Sequence, residues 1–119
     1  VFDAYVAPPF TPPSASVALA FGMGGPHSGV PFHVHGPGLA EPLVGRKRWY
    51  MAAPGKEPAF DPDLSTLAWA LEYSRAPHLH PHVSACTVSP GEAIFFPDGY
   101  WHATLNLDEG IFISSFINY

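Results

Sequence analysis

The sequence predicts an all-β fold, a small barrel or jelly roll with one helical insert around residues 63–73, and three observations lead there. Short apolar runs recur along the chain. Turn formers separate them, with 15 Pro and 11 Gly spread through 119 residues. Only one stretch, 63–73, replaces that rhythm with helical spacing. Hydrophobic residues make up 47% and aromatics 14% of the chain, enough to fill a core, which argues against wholesale disorder. The length fits a single domain, 1–119.

Taken in order, Pro8-Pro9 and Pro12-Pro13 predict an extended or looped start, because Pro suits neither a helix interior nor a central strand. Ser16 to Met23 is the first strand candidate, followed by a turn-rich connection at Gly24-Gly25-Pro26 and Gly29. Pro31 to His35 reads as a short strand closed by Gly36-Pro37-Gly38. Leu43-Val44, Gly45-Arg46 and Lys47 to Ala53 read as strand, turn and strand, with Gly45 supplying a tight reversal. From Asp63 to Tyr73, the residues Leu64, Leu67, Ala68 and Leu71 share one helical face, and Ser65 or Asp63 is placed to cap its start. A Pro- and His-rich loop, Ala76 to His82, comes next. Strands resume at Ala85 to Val88, Ala93 to Phe96, His102 to Leu107 and Ile111 to Ile117, separated by turns at Ser89-Pro90-Gly91-Glu92 and Asp108-Glu109-Gly110.

Charge narrows the function. Charged residues are 13% of the chain and the formal net charge is −5, with no basic stripe beyond Arg46-Lys47-Arg48. Nucleic-acid binding through phosphate neutralisation has no support in that pattern. Cys86 stands alone and forms no intrachain disulfide. No apolar run approaches the roughly 20 residues that span a bilayer as a helix. The chain begins at Val1 without an initiator Met, and the expectation is the C-terminal part of a longer protein.

His33-Val34-His35 is the sharpest chemical signal. Residues two apart on a strand point to one face, so both imidazoles are expected to project together as half of a site for Fe, Zn, Mn, Ni or Cu. The second half of the chain supplies a third ligand. A turn at Gly91 starts the apolar strand Ala93 to Phe96, and Pro97-Asp98-Gly99 reverses the chain to deliver His102. Two histidines from one strand and a third from a distant one make a facial set with open positions. The bland alternatives are exposed strand histidines at 33 and 35, and a core histidine beside Trp101. Lys47 shares a strand face with Trp49 and Met51, and a Lys turned into a barrel calls for an anion; a solvent-facing hairpin Lys, with Arg46 or Arg48 inward, is the alternative. His78-x-His80-x-His82 is interrupted by Pro81 and reads as an exposed loop. No Ser is set beside His and Asp as a hydrolase needs.

Gly91-x5-Pro97-x-Gly99-x2-His102-x3-Asn106 resembles the second cupin motif, and His33-x-His35 with Glu41 and Gly45 resembles the first, with a longer spacing to Glu41. Ser28-Gly29-Val30-Pro31-Phe32-His33, Gly45-Arg46-Lys47-Arg48-Trp49, Gly91-Glu92-Ala93-Ile94-Phe95-Phe96-Pro97 and Tyr100-Trp101-His102 resemble the JmjC (cupin-like) oxygenases. The resemblance covers about Ser28 to Phe116. It implies a double-stranded β-helix that binds Fe(II), with Zn or Mn as alternatives, and 2-oxoglutarate as co-substrate, and that hydroxylates or demethylates proteins. It also implies His33, His35 and His102 as metal ligands, Lys47 as the grip on the far carboxylate of 2-oxoglutarate, and Ser115 in place of an Asn donor. Glu41 is a minor candidate for a fourth ligand. The chain departs from the family pattern at His35, where Asp or Glu is usual, and at Val30, which stands where a Thr donor is usual.

Three functions follow. The first is a 2-oxoglutarate-dependent oxygenase acting on a protein or peptide. The second is a cupin that keeps the barrel and metal but serves as a protein-interaction module without turnover. The third is a three-His cupin dioxygenase that binds a small substrate directly. Within the family, the nearest resemblance implies the endoplasmic reticulum lumen.

Overall fold

Eight strands and one helix account for most of the chain in this computed structural model, which describes residues 2–6, 9 and 15–118. The strands are β1 (Ser16–Gly24), β2 (Gly29–His33), β3 (Gly38–Val44), β4 (Lys47–Ala52), β5 (Ser84–Val88), β6 (Ile94–Phe96), β7 (Trp101–Asn106) and β8 (Gly110–Asn118). The helix α1 (Thr66–Arg75) interrupts them between β4 and β5. Two antiparallel four-stranded sheets form, in the orders β1-β8-β3-β6 and β2-β7-β4-β5. Successive strands mostly fall in different sheets, the jelly-roll arrangement of a cupin-type barrel, here not fully closed. Of the early prolines, Pro9 sits in a turn, whereas Pro8, Pro12 and Pro13 lie outside the described residues.

Three sequence expectations are corrected. The strand expected at Pro31 to His35 runs from Gly29 and stops at His33, so His35 lies in the following loop. The stretch before Leu43 is also strand, despite Pro42. There β3 pairs with β8 on one side, while β6 reaches only Gly38 to Ala40 on the other, and a residue without an N–H is tolerated at that open edge. Finally, Gly45-Arg46 does not close a hairpin, because β3 and β4 belong to different sheets. Gly45 instead turns the chain from one sheet to the other at φ +76, where an added Cβ would run into the Glu109 carbonyl.

The helix is present, but it is rolled relative to the predicted face. It buries Thr66, Trp69 and Ala70, while Leu64 and Leu71 are each 49% exposed. Large aromatic rings remove more apolar surface from water than Leu does, and they decide the orientation. Trp69 packs on Phe32 (4.9 Å between ring centres), Tyr50 (5.0 Å) and Tyr73 (5.1 Å), and its indole N–H donates to the Ala59 carbonyl at 3.0 Å. Ser65, not Asp63, caps the helix, its Oγ accepting the Ala68 N–H at 3.2 Å. α1 thereby covers the outer face of the β2-β7-β4-β5 sheet with Phe32, Tyr50, Ala103 and Leu105. A second cluster, Ala40, Trp49, Val88 and Phe96, fills the space between the sheets beside the site.

Candidate metal centre

His33 ends β2 and pairs directly with His102, the second residue of β7. His35 comes from the loop between β2 and β3. That loop is tied down by the Gly99 N–H donating to the His35 carbonyl (3.2 Å) and the Ile117 N–H donating to the Pro37 carbonyl (3.0 Å). The turn that delivers His102 therefore also fixes His35. The nearest ligand atoms of the three rings all lie within 4.8 Å of one another, and this is the one such group among the described residues.

Hydrogen bonds orient each ring. His33 Nδ1 donates to the Pro31 carbonyl (2.8 Å), His35 Nδ1 to the Gly36 carbonyl (2.8 Å) and His102 Nδ1 to the Tyr100 carbonyl (2.9 Å). A carbonyl only accepts, so each Nδ1 carries the proton and each Nε2 is left with a free lone pair. The Nε2 atoms of His35 and His102 face each other at 3.1 Å. This is the outer-shell arrangement that presents imidazoles to a metal. Burial pushes the His102 imidazole down to about 4, against the opposing pull of the Tyr100 carbonyl, and His33 and His35 push the same way. His33 is lowered for the same first reason, burial. Aromatic walls supply that burial: Trp49 and Phe96 stack on His102 at 5.7 and 5.0 Å, and Phe96 and Phe116 flank His35 at 5.1 and 5.0 Å. The donor set, three imidazoles with converging Nε2 lone pairs among aromatic side chains, fits a divalent transition metal.

The three histidines open into a cavity of about 180 Å³ that Lys47 also lines. Lys47 is 6% exposed, and its ammonium lies 3.1 Å from the centre of the Phe112 ring. Burial lowers it to about 8 from its ordinary 10.5. Its neighbours point away. Arg46 is exposed and forms a bidentate pair with Asp108, whose carboxyl that guanidinium holds down at about 2, and Arg48 donates to Thr87 Oγ1 at 3.1 Å. Among the described residues no carboxylate pairs with Lys47.

Ser115 is not brought to the cavity. Side chains alternate along β8, and Phe112, Ser114 and Phe116 line the space while Ser115 is buried on the opposite face. The hydroxyl that this strand offers is Ser114. Glu41 likewise stays out of the histidine group; it lies beside Tyr5, whose phenol is pushed up to about 12 by burial and then by Glu41. His78 and His82 are exposed, and His80 packs on Trp69 at 5.0 Å, so that trio forms no cluster. Sequence reasoning missed Thr104 and Ser114. Alternation counted from His102 would have placed Thr104 on the site face.

No family model matches the chain. Curated relatives do. The chain is 50% identical over 119 residues to JmjC domain-containing protein 8 of Rattus norvegicus, covering 98% of this chain and 44% of that protein. The Homo sapiens protein of the same name is 46% identical over 117 residues, with the same coverage. The lysine-specific demethylase JMJ21 of Arabidopsis thaliana is 34% identical over 114 residues, 81% of this chain and 12% of that protein. The chain thus spans less than half the length of the curated relatives it matches. With a jelly-roll fold, a three-imidazole cluster and this similarity along nearly its whole length, the chain belongs to the JmjC, cupin-like metal-binding domains.

Proposed function

We propose that this chain, as one domain, holds a single divalent metal on His33, His35 and His102, grips 2-oxoglutarate with Lys47, and works as an Fe(II)-dependent oxygenase on a protein or peptide. The observation that carries the reading is the meeting, in one cavity, of three converging Nε2 lone pairs and a buried ammonium without a carboxylate partner among the described residues. Three neutral ligands leave a divalent ion its full charge, and Lys47 adds another. Among the described residues no carboxylate lines the cavity, so a small dianion is its electrostatic complement. Iron(II) suits an imidazole set, as does zinc. When bound, iron would supply the redox chemistry that couples decarboxylation of the co-substrate to oxidation of the substrate. The chain's own part is to hold the imidazoles in one tautomer, exclude water with Trp49, Phe96 and Phe116, and anchor the far carboxylate at Lys47. The protein substrate class is taken from the relative whose name assigns it demethylation of lysine.

A second reading rests on His35. A neutral ligand where the family carries Asp or Glu stabilises oxidised iron less well. On this reading the domain keeps its metal and acts as a protein-interaction module.

Metal analysis, 2-oxoglutarate titration and succinate release, measured together on the full chain, separate these. The oxygenase reading expects one metal per chain, metal-dependent 2-oxoglutarate binding that Lys47→Met abolishes, and succinate formed with Fe(II). Metal and 2-oxoglutarate bound without succinate would favour the interaction module. A chain that takes up no metal would overturn both.

A further inference from the structure

A second pocket lies between the start of α1 and the outer face of β2 and β7, away from the histidines. Phe32, Phe60 and Trp69 give it apolar walls, and Asp61, Ser65 and Thr66 supply its polar groups. Thr66 is the first residue of α1 and is 3% exposed. It shares a helical face with Trp69 and Ala70, three and four residues on, so the packing of Trp69 against Phe32 carries Thr66 into the interface as well. Its Oγ1 has no hydrogen-bond partner among the described residues. The position of Thr66 in the helix explains this. Inside a helix a Thr hydroxyl bonds a carbonyl three or four residues back. For Thr66 those residues are Asp63 and Pro62, which lie in the turn before the helix. A hydroxyl this deeply buried is costly to leave without a partner, and buried polar groups almost always have one.

Size identifies the partner. The pocket offers about 10 Å³, against about 180 Å³ beside the histidines. A single water needs roughly 10–15 Å³ on the same measure, so there is room for one water and none for an organic ligand. A held water also needs about two to four polar neighbours, and three polar side chains border this space. Thr66 Oγ1 can donate and accept. Ser65 Oγ accepts the Ala68 N–H and keeps its own proton, while the Asp61 carboxylate only accepts. Asp61 also holds the turn that leads into the helix: its Oδ1 takes the Asp63 N–H at 2.9 Å, and its carbonyl takes the Leu64 N–H at 3.0 Å.

We propose that the start of α1 binds one water molecule, which accepts the Thr66 hydroxyl proton and donates to the Asp61 carboxylate. The water fastens the 61–65 turn to the first turn of the helix that backs β2 and β7. This holds whether or not the histidines carry a metal.

The test is a high-resolution crystal structure of the full chain beside hydrogen exchange in solution. The wild-type map is expected to show one ordered water about 2.6–3.0 Å from Thr66 Oγ1. Thr66→Val, which keeps the shape and removes the hydroxyl, is expected to lose that water. The Asp63 and Leu64 amides should then exchange about three- to tenfold faster. Thr66→Ser is expected to keep both the water and the wild-type rates. A wild-type map with no water at Thr66 Oγ1, or with a protein carbonyl bonded there, would overturn the proposal. So would a water retained in Thr66→Val, or exchange rates that the substitution leaves unchanged. Should Thr66→Val fail to fold, the wild-type map and cross-relaxation from water to the Thr66 methyl decide, the water signal being present on this proposal and absent otherwise.

Discussion

The Nε2 atoms of His35 and His102 lie 3.1 Å apart, with the Nδ1 of each ring committed to a backbone carbonyl. Neither nitrogen then carries a proton to offer the other, and two lone pairs at this separation repel. A cation drawn to both relieves the repulsion. His33, paired directly with His102 across β2 and β7, adds the third lone pair. The site is preorganised by main-chain carbonyls rather than by side-chain carboxylates, so its orientation survives surface mutation and depends on the backbone of three short segments.

Removing any one ring should therefore disable metal capture. His33→Ala, His35→Ala and His102→Ala are each expected to weaken affinity by more than about a hundredfold, beyond what loss of an outer-shell partner brings. Competition against a chromophoric chelator measures it.

Lys47 sets a pH dependence. Burial lowers its pKa to about 8 in the folded chain, against 10.5 when unfolded. Between those values the unfolded chain binds more protons, so the free energy of unfolding rises with pH across this window and the burden on the fold is fully present below pH 8. The stability of ligand-free protein should climb from pH 8 to 10.5, and Lys47→Met should flatten the climb. At pH 7 the Met variant should be more stable by roughly 1–3 kcal/mol, less whatever the Phe112 ring returns to the ammonium. Denaturant melts across the pH series check both.

His35→Asp restores a carboxylate to the triad. Metal binding should persist, since Asp is a competent ligand, and succinate release with Fe(II) and 2-oxoglutarate should rise above that of the parent. Side-by-side turnover assays read the difference.

Helix α1 is a structural element away from the histidines. Ser65→Ala removes the cap on the Ala68 N–H and should cost about 1 kcal/mol of stability while leaving metal affinity unchanged. Thermal melts with a chelator competition distinguish the two effects.

Much of this was legible in residue order. Apolar runs and Pro or Gly turns locate part of every strand, but they miss the first residues of β2, Gly29 and Val30, and most of β3, from Gly38 to Pro42. Pro42 is harmless because its strand has lost its β6 neighbour by that point, and which strands pair is not written locally. The spacing of His33 and His35 predicts one strand face. They do converge, yet through a loop pinned to the Gly99 turn, a contact between distant segments. The resemblance implies Ser115, whereas Ser114 lines the cavity: a shift of one residue in β8 exchanges the inner and outer faces, and only the observed register fixes that parity. The leucines keep helical spacing and predict one face of α1, while its aromatics bury more surface and set another. Thr104 went unnoticed because a lone Thr carries no motif.

X-ray absorption at the edge of a single bound Co(II) or Zn(II) counts imidazole ligands directly. The spectrum of the wild-type chain should fit three imidazole nitrogens, falling to two in His102→Ala at forced metal occupancy. An absorber surrounded by oxygen alone, or a spectrum that the substitution leaves unaltered, would contradict a metal held by His33, His35 and His102.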